Sequence, residues 1–159
     1  MDERIITEYL RRSYFAVDGL WFMMIEKQFS FDKALELDAE VWSILPKIQA
    51  RKVKELLSLE GKGLSDFTQA IKVKLEAEEY DYEIEIEGDD HIQIKMRSCP
   101  WFEILKKAKR ENLASKISDT ICLTEFGVWL KEFDLNMNIS TPARFCDGDD
   151  VCVWDFRVK

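Results

Sequence analysis

The stretch from Tyr80 to Arg97, YDYEIEIEGDDHIQIKMR, decides the fold. Tyr80, Tyr82, Ile84 and Ile86 alternate with Asp81, Glu83, Glu85 and Glu87. Past Gly88-Asp89-Asp90, Ile92, Ile94 and Met96 alternate with His91, Gln93, Lys95 and Arg97. A period of two marks strands with one wet and one dry face. A loop at 88–90 sets Glu87 opposite His91, Glu83 opposite Lys95 and Asp81 opposite Arg97. The wet face is then charge-paired, each pair worth roughly 0.2–1 kcal/mol. His91 is a charge partner on this reading, not a ligand. The dry face joins Ile86 to Ile92, Ile84 to Ile94 and Tyr82 to Met96, and helices must cover it.

Working outward, Pro100 ends the hairpin and suits the first position of a helix over Trp101–Glu111. A further helix is expected over Lys116–Phe133, with Cys122, Phe126, Trp129 and Phe133 on its inner face. Leu135, Met137 and Ile139 alternate with Asn136, Asn138 and Ser140 as a third strand, and Pro142 places that strand at an edge or a bulge. Cys152, Trp154, Phe156 and Val158 share one face of a fourth.

Upstream of the hairpin, Ser65 can cap a helix over Asp66–Glu78, and GKG at 61–63 is the clearest break in the chain. Before it the pattern is helical. Ile5, Ile6, Tyr9 and Leu10 recur at helical spacing, Asp18-Gly19 interrupts or bends the run, and Leu20–Phe29 follows. Ser30 caps a second helix whose stripe is Ala34, Leu37, Val41, Leu45 and Ile48. Pro46 costs that helix a backbone bond and predicts a kink or restart, and the helix should run to about Leu59 before Gly61. The fold class is α+β: N-terminal helices, then an antiparallel sheet of about four strands with helices packed on one face. At 159 residues and 47% hydrophobic, we read one domain over 1–159, with a helical segment at 1–60 and an α+β core at 64–159.

The formal net charge is -8 and no basic cluster offsets it. Nucleic acid and anionic membrane surfaces are therefore not expected partners. The sequence MDERIITEYLRR lacks the apolar core of a signal peptide, and the longest apolar run, Leu20 to Ile25, is too short to span a bilayer. The expected location is the cytoplasm. The single histidine removes mechanisms that need two imidazoles from one chain. There is no Gly-rich phosphate loop and no G-x-S-x-G.

Four cysteines remain to be explained: Cys99, Cys122, Cys146 and Cys152. A reducing compartment favours metal binding or free thiols over disulfides. Cys99 precedes Pro100 at a helix cap, where the helix dipole lowers a thiol pKa. Cys146 and Cys152 bracket an acidic turn. If the loop is 147–151 they are cross-strand neighbours, a separation that suits either one tetrahedral metal or a disulfide. No C-x2-C knuckle is present, so metal site, disulfide and apolar packing of free thiols all stay open on spacing alone.

Elsewhere, Asp18, Trp21 and Glu26 share a rough face of the first helix with Phe22, two carboxylates beside aromatic rings that could bind a ligand or move a proton. The plainer reading is a backbone bond from Asp18 at the helix break and a solvated Glu26. Trp42 and Arg51 face opposite ways on a straight helix. Only a kink at Pro46 would let them grip a small anionic ligand together.

The C-terminal GDDVCVWDF (148–156), the stretch DGLWFMMIEKQFSFDKALELDAEVW (18–42) and the single cysteines at 99 and 122 resemble the L-2-amino-thiazoline-4-carboxylic acid hydrolase-like family and its uncharacterised prokaryotic relatives. The pattern is also similar to the 4-vinyl reductase domain, a small-molecule-binding module. In some sensor members of that family a helix cysteine and two hairpin cysteines hold zinc. The resemblance implies this role for Cys122, Cys146 and Cys152. The family's additional Glu is Ala143 here, which leaves Cys99 as the fourth ligand. The implied cofactor is zinc in a closed structural site, with an iron–sulfur cluster as the alternative. The implied partners are a small organic ligand and a second copy of the chain, joined through the N-terminal helices. The alternative function is hydrolysis of a small ring substrate, with Cys99 as nucleophile.

Overall fold

The hairpin forms in the register read from the sequence. Strand β1 (Tyr82–Glu87) pairs antiparallel with β2 (His91–Met96), with Glu87 opposite His91, Ile84 opposite Ile94 and Tyr82 opposite Met96. Gly88 sits at φ +64 in the turn, a conformation glycine adopts without strain. Strand β4 (Cys152–Val158) lies on the other side of β2, setting Trp154 opposite Ile94 and Phe156 opposite Ile92. Strand β3 (Met137–Ala143) completes the antiparallel sheet in the order β1-β2-β4-β3. It is an edge strand, and its register with β4 shifts between Ser140 and Ala143, where Pro142 removes a ladder donor.

The computed structural model describes residues 2–159 and divides into two compact units, Met1–Val41 and Trp42–Lys159. In the second unit, α3 (Gly63–Ala77) and α6 (Leu123–Glu132) cover the dry face of the sheet. Phe67, Ile71 and Leu75 recur every four residues on α3 and are fully buried. Phe126, Trp129 and Leu130 of α6, with Phe133 after it, meet them. The Phe67 ring packs edge-on against Phe133 and Phe156 at 5.9 and 6.1 Å between centroids, a favoured aromatic geometry. The Trp129 indole N–H is buried with no hydrogen-bond partner among the described residues, so its contribution is packing alone.

Several boundaries differ from the sequence reading, each for a local reason. The start of α3 is held not by Ser65 but by Asp66, whose carboxylate accepts from the Gly61 N–H at 2.7 Å and the Lys62 N–H at 3.2 Å. Helix α1 (Glu3–Gln28) runs unbroken through Asp18-Gly19, a single glycine costing only about 1 kcal/mol against alanine. Helix α2 (Phe31–Leu57) starts as expected, with the Lys33 N–H donating to the Ser30 hydroxyl at 3.1 Å. It continues through Pro46, whose ring is fully buried and so recovers apolar contact for the lost bond. The dry face of α2 in the second unit is Trp42, Pro46, Ala50 and Val53, while Val41 and Ile48 are exposed. The stripe read from the sequence was thus rotated, because it discounted a proline and an alanine as core residues. Ser58 ends the helix at φ +52, and the Leu59 N–H closes back on the Lys54 carbonyl at 3.0 Å.

After β2, α4 spans Pro100–Lys107, shorter than expected. The expected helix at 116–133 is broken into a 3-10 turn (Glu111–Leu113), a short α5 (Ala114–Ile117), a wide π-type turn (Ser118–Cys122) and α6. The Thr120 and Thr124 hydroxyls donate to the carbonyls four residues back, at 3.0 and 2.7 Å, competing with the backbone ladder where the helix widens. Among the described residues no helix is long and apolar enough to cross a membrane.

On the other face of the sheet His91 and Asp155 are both buried, and His91 Nε2 lies 2.8 Å from Asp155 Oδ2. His91 Nδ1 is 3.1 Å from Glu87, so charge pairing is its role. The bond to Asp155, then that to Glu87, raise the imidazole pKa above its ordinary value of 6.5. Burial opposes the charge on Asp155, yet bonds from His91, Gln93 and Arg157 hold its pKa below the usual range.

A raised folded-state pKa stabilises fully below the unfolded value and is lost as pH rises through the folded one. The melting temperature should therefore fall as pH is raised from about 6.5 through the weakly alkaline range, and His91→Gln should flatten that fall. Thermal melts across the range check this. In the core, Trp129→Ala should cost about 3–5 kcal/mol, while Trp129→Phe, which removes the unpaired N–H, should cost far less in a denaturant titration.

Candidate functional site

The sheet and the helices over it do not close completely. At the end where β2 gives way to α4, the second unit encloses a cavity of about 90 Å³. All four cysteines line it, with the rings of Trp101, Phe102, Phe126, Phe145 and Trp154. Each thiol arrives from a different element. Cys99 is the residue before α4, fixed there by Pro100 at the first helical position. Cys122 ends the π-type turn, one turn from Ser118, which also lines the cavity. Cys146 lies in a 3-10 turn (Phe145–Asp147) that Arg144 pins by donating to Asp147 at 2.7 Å and by pairing with Asp119. Cys152 opens β4 beside Met96.

The expected cross-strand pairing of Cys146 with Cys152 is not formed. Cys152 faces Met96, β3 has ended at Ala143, and all four thiols are free. The expected activation of Cys99 is reversed as well. Burial raises its pKa and outweighs the N–H groups of Trp101 and Phe102 at the helix start. Burial pushes Cys152 up to about 12 and Cys122 above that, and it raises Cys146 too, against the pull of Arg144. These are protonated thiols in a largely carbon-walled space and poor nucleophiles as they stand.

One polar feature interrupts that wall. The Lys74 ammonium on α3 lies 2.9 Å from Glu78 and 3.0 Å from Glu125, and all three side chains are over nine-tenths buried. The Trp101 indole N–H donates to the same Glu78 oxygen at 3.1 Å. The Lys74 ammonium also lies 5.4 Å from the centre of the Tyr80 ring, and the Cys99 thiol is 3.9 Å from the Tyr80 hydroxyl. Burial, then the neighbouring Cys99 and Glu78, push the Tyr80 pKa well above its usual value. Lys74, Tyr80 and Glu125 all reach the cavity wall. Sequence reading missed this cluster, although Lys74 stands three residues after Ile71 on the dry stripe of α3 and Glu125 sits beside Phe126 on that of α6. A charge inside an apolar stripe was the available signal.

The other anticipated ligand residues are not in the cavity lining. Trp42 is buried, with its ring edge-on to Trp101 at 5.6 Å. Arg51 is exposed and pairs with Glu132 at 2.9 Å, so the two do not converge on an anion. Asp18, Trp21 and Glu26 lie on α1, in the first unit, with Trp21 exposed and the two acids half-buried.

The chain belongs to a family of unknown function, DUF6125, whose model matches residues 3–158. No curated protein matches it in sequence. The fold is similar to the crystal structure of a trafficking protein particle complex subunit 3 from Naegleria fowleri covalently bound to palmitic acid, with a TM-score of 0.54 and 13% identity over 98% of this chain and 96% of that one. At that identity the likeness is one of fold.

These findings correct the expectation of a zinc-binding, 4-vinyl reductase-like or hydrolase-like protein. The structural neighbour is a complex subunit, and among the described residues no group of three or more His, Cys, Asp or Glu is placed to hold a metal ion. The physical reason is that Cys99, Cys122, Cys146 and Cys152 arrive from four different elements and stand around the wall of a cavity.

Dialysis against a strong chelator should leave the melting temperature unchanged; a drop of several degrees would contradict this arrangement of the thiols. Lys74→Met strands two buried carboxylates and should cost about 3–5 kcal/mol. Adding Glu78→Gln and Glu125→Gln should recover much of that loss in denaturant melts.

Proposed function

We propose that the second unit is a binding module that holds one small organic molecule with an apolar body in the thiol-lined cavity, without a metal. The observation that supports this reading most is the make-up of the wall: six aromatic rings and four protonated thiols around one space, with one buried charged cluster at its side. Binding sites for small molecules have this make-up, mostly apolar with a few placed polar groups. The size fits a compact ligand. At about 90 Å³ the space is smaller than the apolar cavity of about 150 Å³ that encloses benzene, so a ring or short chain would extend into its opening. The long acyl chain held by the structural neighbour is larger than this space, so that ligand is not carried over. Binding is favoured over catalysis here because the thiols are held in the neutral form and the one imidazole is engaged by Asp155 and Glu87.

A second copy of the chain is the proposed protein partner, as a feature of the first unit suggests. Helix α1 has no buried residue, and Leu10, Val17, Leu20 and Trp21 are more than half exposed along one broad face. An apolar helical face of this length is covered in a stable protein.

Toluene should bind with a Kd on the order of 0.1 mM, within the ceiling for very small ligands, and shift amide resonances of residues around the cavity. Ala114→Phe, which fills the space, should abolish those shifts. No shift with the unaltered protein contradicts the reading. For the dimer, sedimentation should give twice the chain mass, and Leu10→Glu with Trp21→Glu should halve it; a monomeric parent protein contradicts it.

A further inference from the structure

We propose that the natural occupant of the cavity is a small organic cation: an apolar or aromatic body carrying one protonated or methylated amine. This rests on the cavity being a ligand site and adds the charge of the ligand. Two independent observations carry it.

The first is the balance of buried charge. The cluster at the wall places two carboxylates, Glu78 and Glu125, against one ammonium, Lys74, all but removed from water. Glu78 is further engaged by the Trp101 indole N–H, and Glu125 lines the cavity, as Lys74 does. With both carboxylates ionised, these three groups carry one excess negative charge beside a low-dielectric space, where it favours a cation and opposes an anion. A carboxylate ligand would meet the same field with the wrong sign, and Lys74 is already committed to two partners.

The second is the composition of the remaining wall. Trp101, Phe102, Phe126, Phe145 and Trp154 bring π-faces and edges to one small volume. The rings of Phe126 and Trp154 lie 4.6 Å apart, and those of Phe102 and Phe145 are stacked at 5.7 Å. Aromatic walls of this kind attract alkylammonium groups through the ring quadrupole, most strongly when both are desolvated. The molecule already contains one instance, the Lys74 ammonium over the Tyr80 ring. Rings and excess carboxylate select the same class of ligand, although they act through different forces.

The test compares ligands with one aromatic body and different heads: benzylamine, benzyl alcohol, benzoate and toluene, titrated into the full chain at neutral pH by calorimetry and amide shifts. The expected order places benzylamine about tenfold or more tighter than benzyl alcohol, with benzoate weakest. In Glu125→Gln, shown to be folded by its melt, the advantage of the amine over the alcohol should fall by about tenfold. If that variant does not fold, the order of heads in the unaltered protein decides. Equal binding of amine and alcohol, or tighter binding of benzoate, overturns the proposal while leaving the cavity a ligand site. Failure of all four to bind, toluene included, overturns the cavity reading and the proposal with it.

Discussion

The spacing between sheet and helices is the constraint on which the rest of this structure depends. Phe67, Ile71, Trp129 and Phe133 stand on Ile92, Ile94 and Phe156, all of them fully buried. Their volume sets how far α3 and α6 ride above the strands, because protein interiors pack at crystal-like density and do not compress. Along the same layer, towards Met96 and the start of β4, small residues enter: Ala114, Ser118, Cys122 and Cys152 stand between the rings there and do not fill the space. A separation fixed by large residues at one end leaves unfilled space at the other. The cavity follows from that gradient of side-chain volume.

The same gradient explains the chemistry of the thiols. Cysteine is small, apolar and weakly hydrogen-bonding, so it can line a void at little cost. Its burial raises each of the four pKa values and keeps the groups neutral. The cost of a void is the loss of dispersion partners along its wall. On the proposed reading a ligand restores those partners, and the buried Lys74, Glu78 and Glu125 supply orientation and sign. A buried charge set of this kind is a weak source of stability.

What the sequence disclosed follows from how local each signal is. The hairpin register was legible because alternation over Tyr82–Met96 and the turn at Gly88 agree, and a slip of one residue would bury every charge. The edge position of β3 was legible from Pro142. The unbroken course of α1 and α2 was not, because Gly19 and Pro46 read as breaks, whereas one glycine costs a helix little and burial of the Pro46 ring offsets its lost bond. The four cysteines were expected as ligands of one metal ion; their place on the wall of a cavity was not read from the sequence. The distinction between sulfur atoms aimed at a common centre and sulfur atoms around a void depends on side-chain directions from α4, the π-type turn, the 3-10 turn and β4. No spacing along the chain encodes those directions. Lys74 and Glu125 were passed over for a related reason, since a charge on a helix is normally assigned to its wet side.

Crystals of the protein under xenon pressure give the most direct test of a dry, metal-free void. The account predicts a xenon site bounded by Cys99, Cys122, Cys152 and Trp154, with no bond from sulfur to metal. Density for a metal ion bonded to those sulfurs, or a closed interior that admits no xenon, would contradict it.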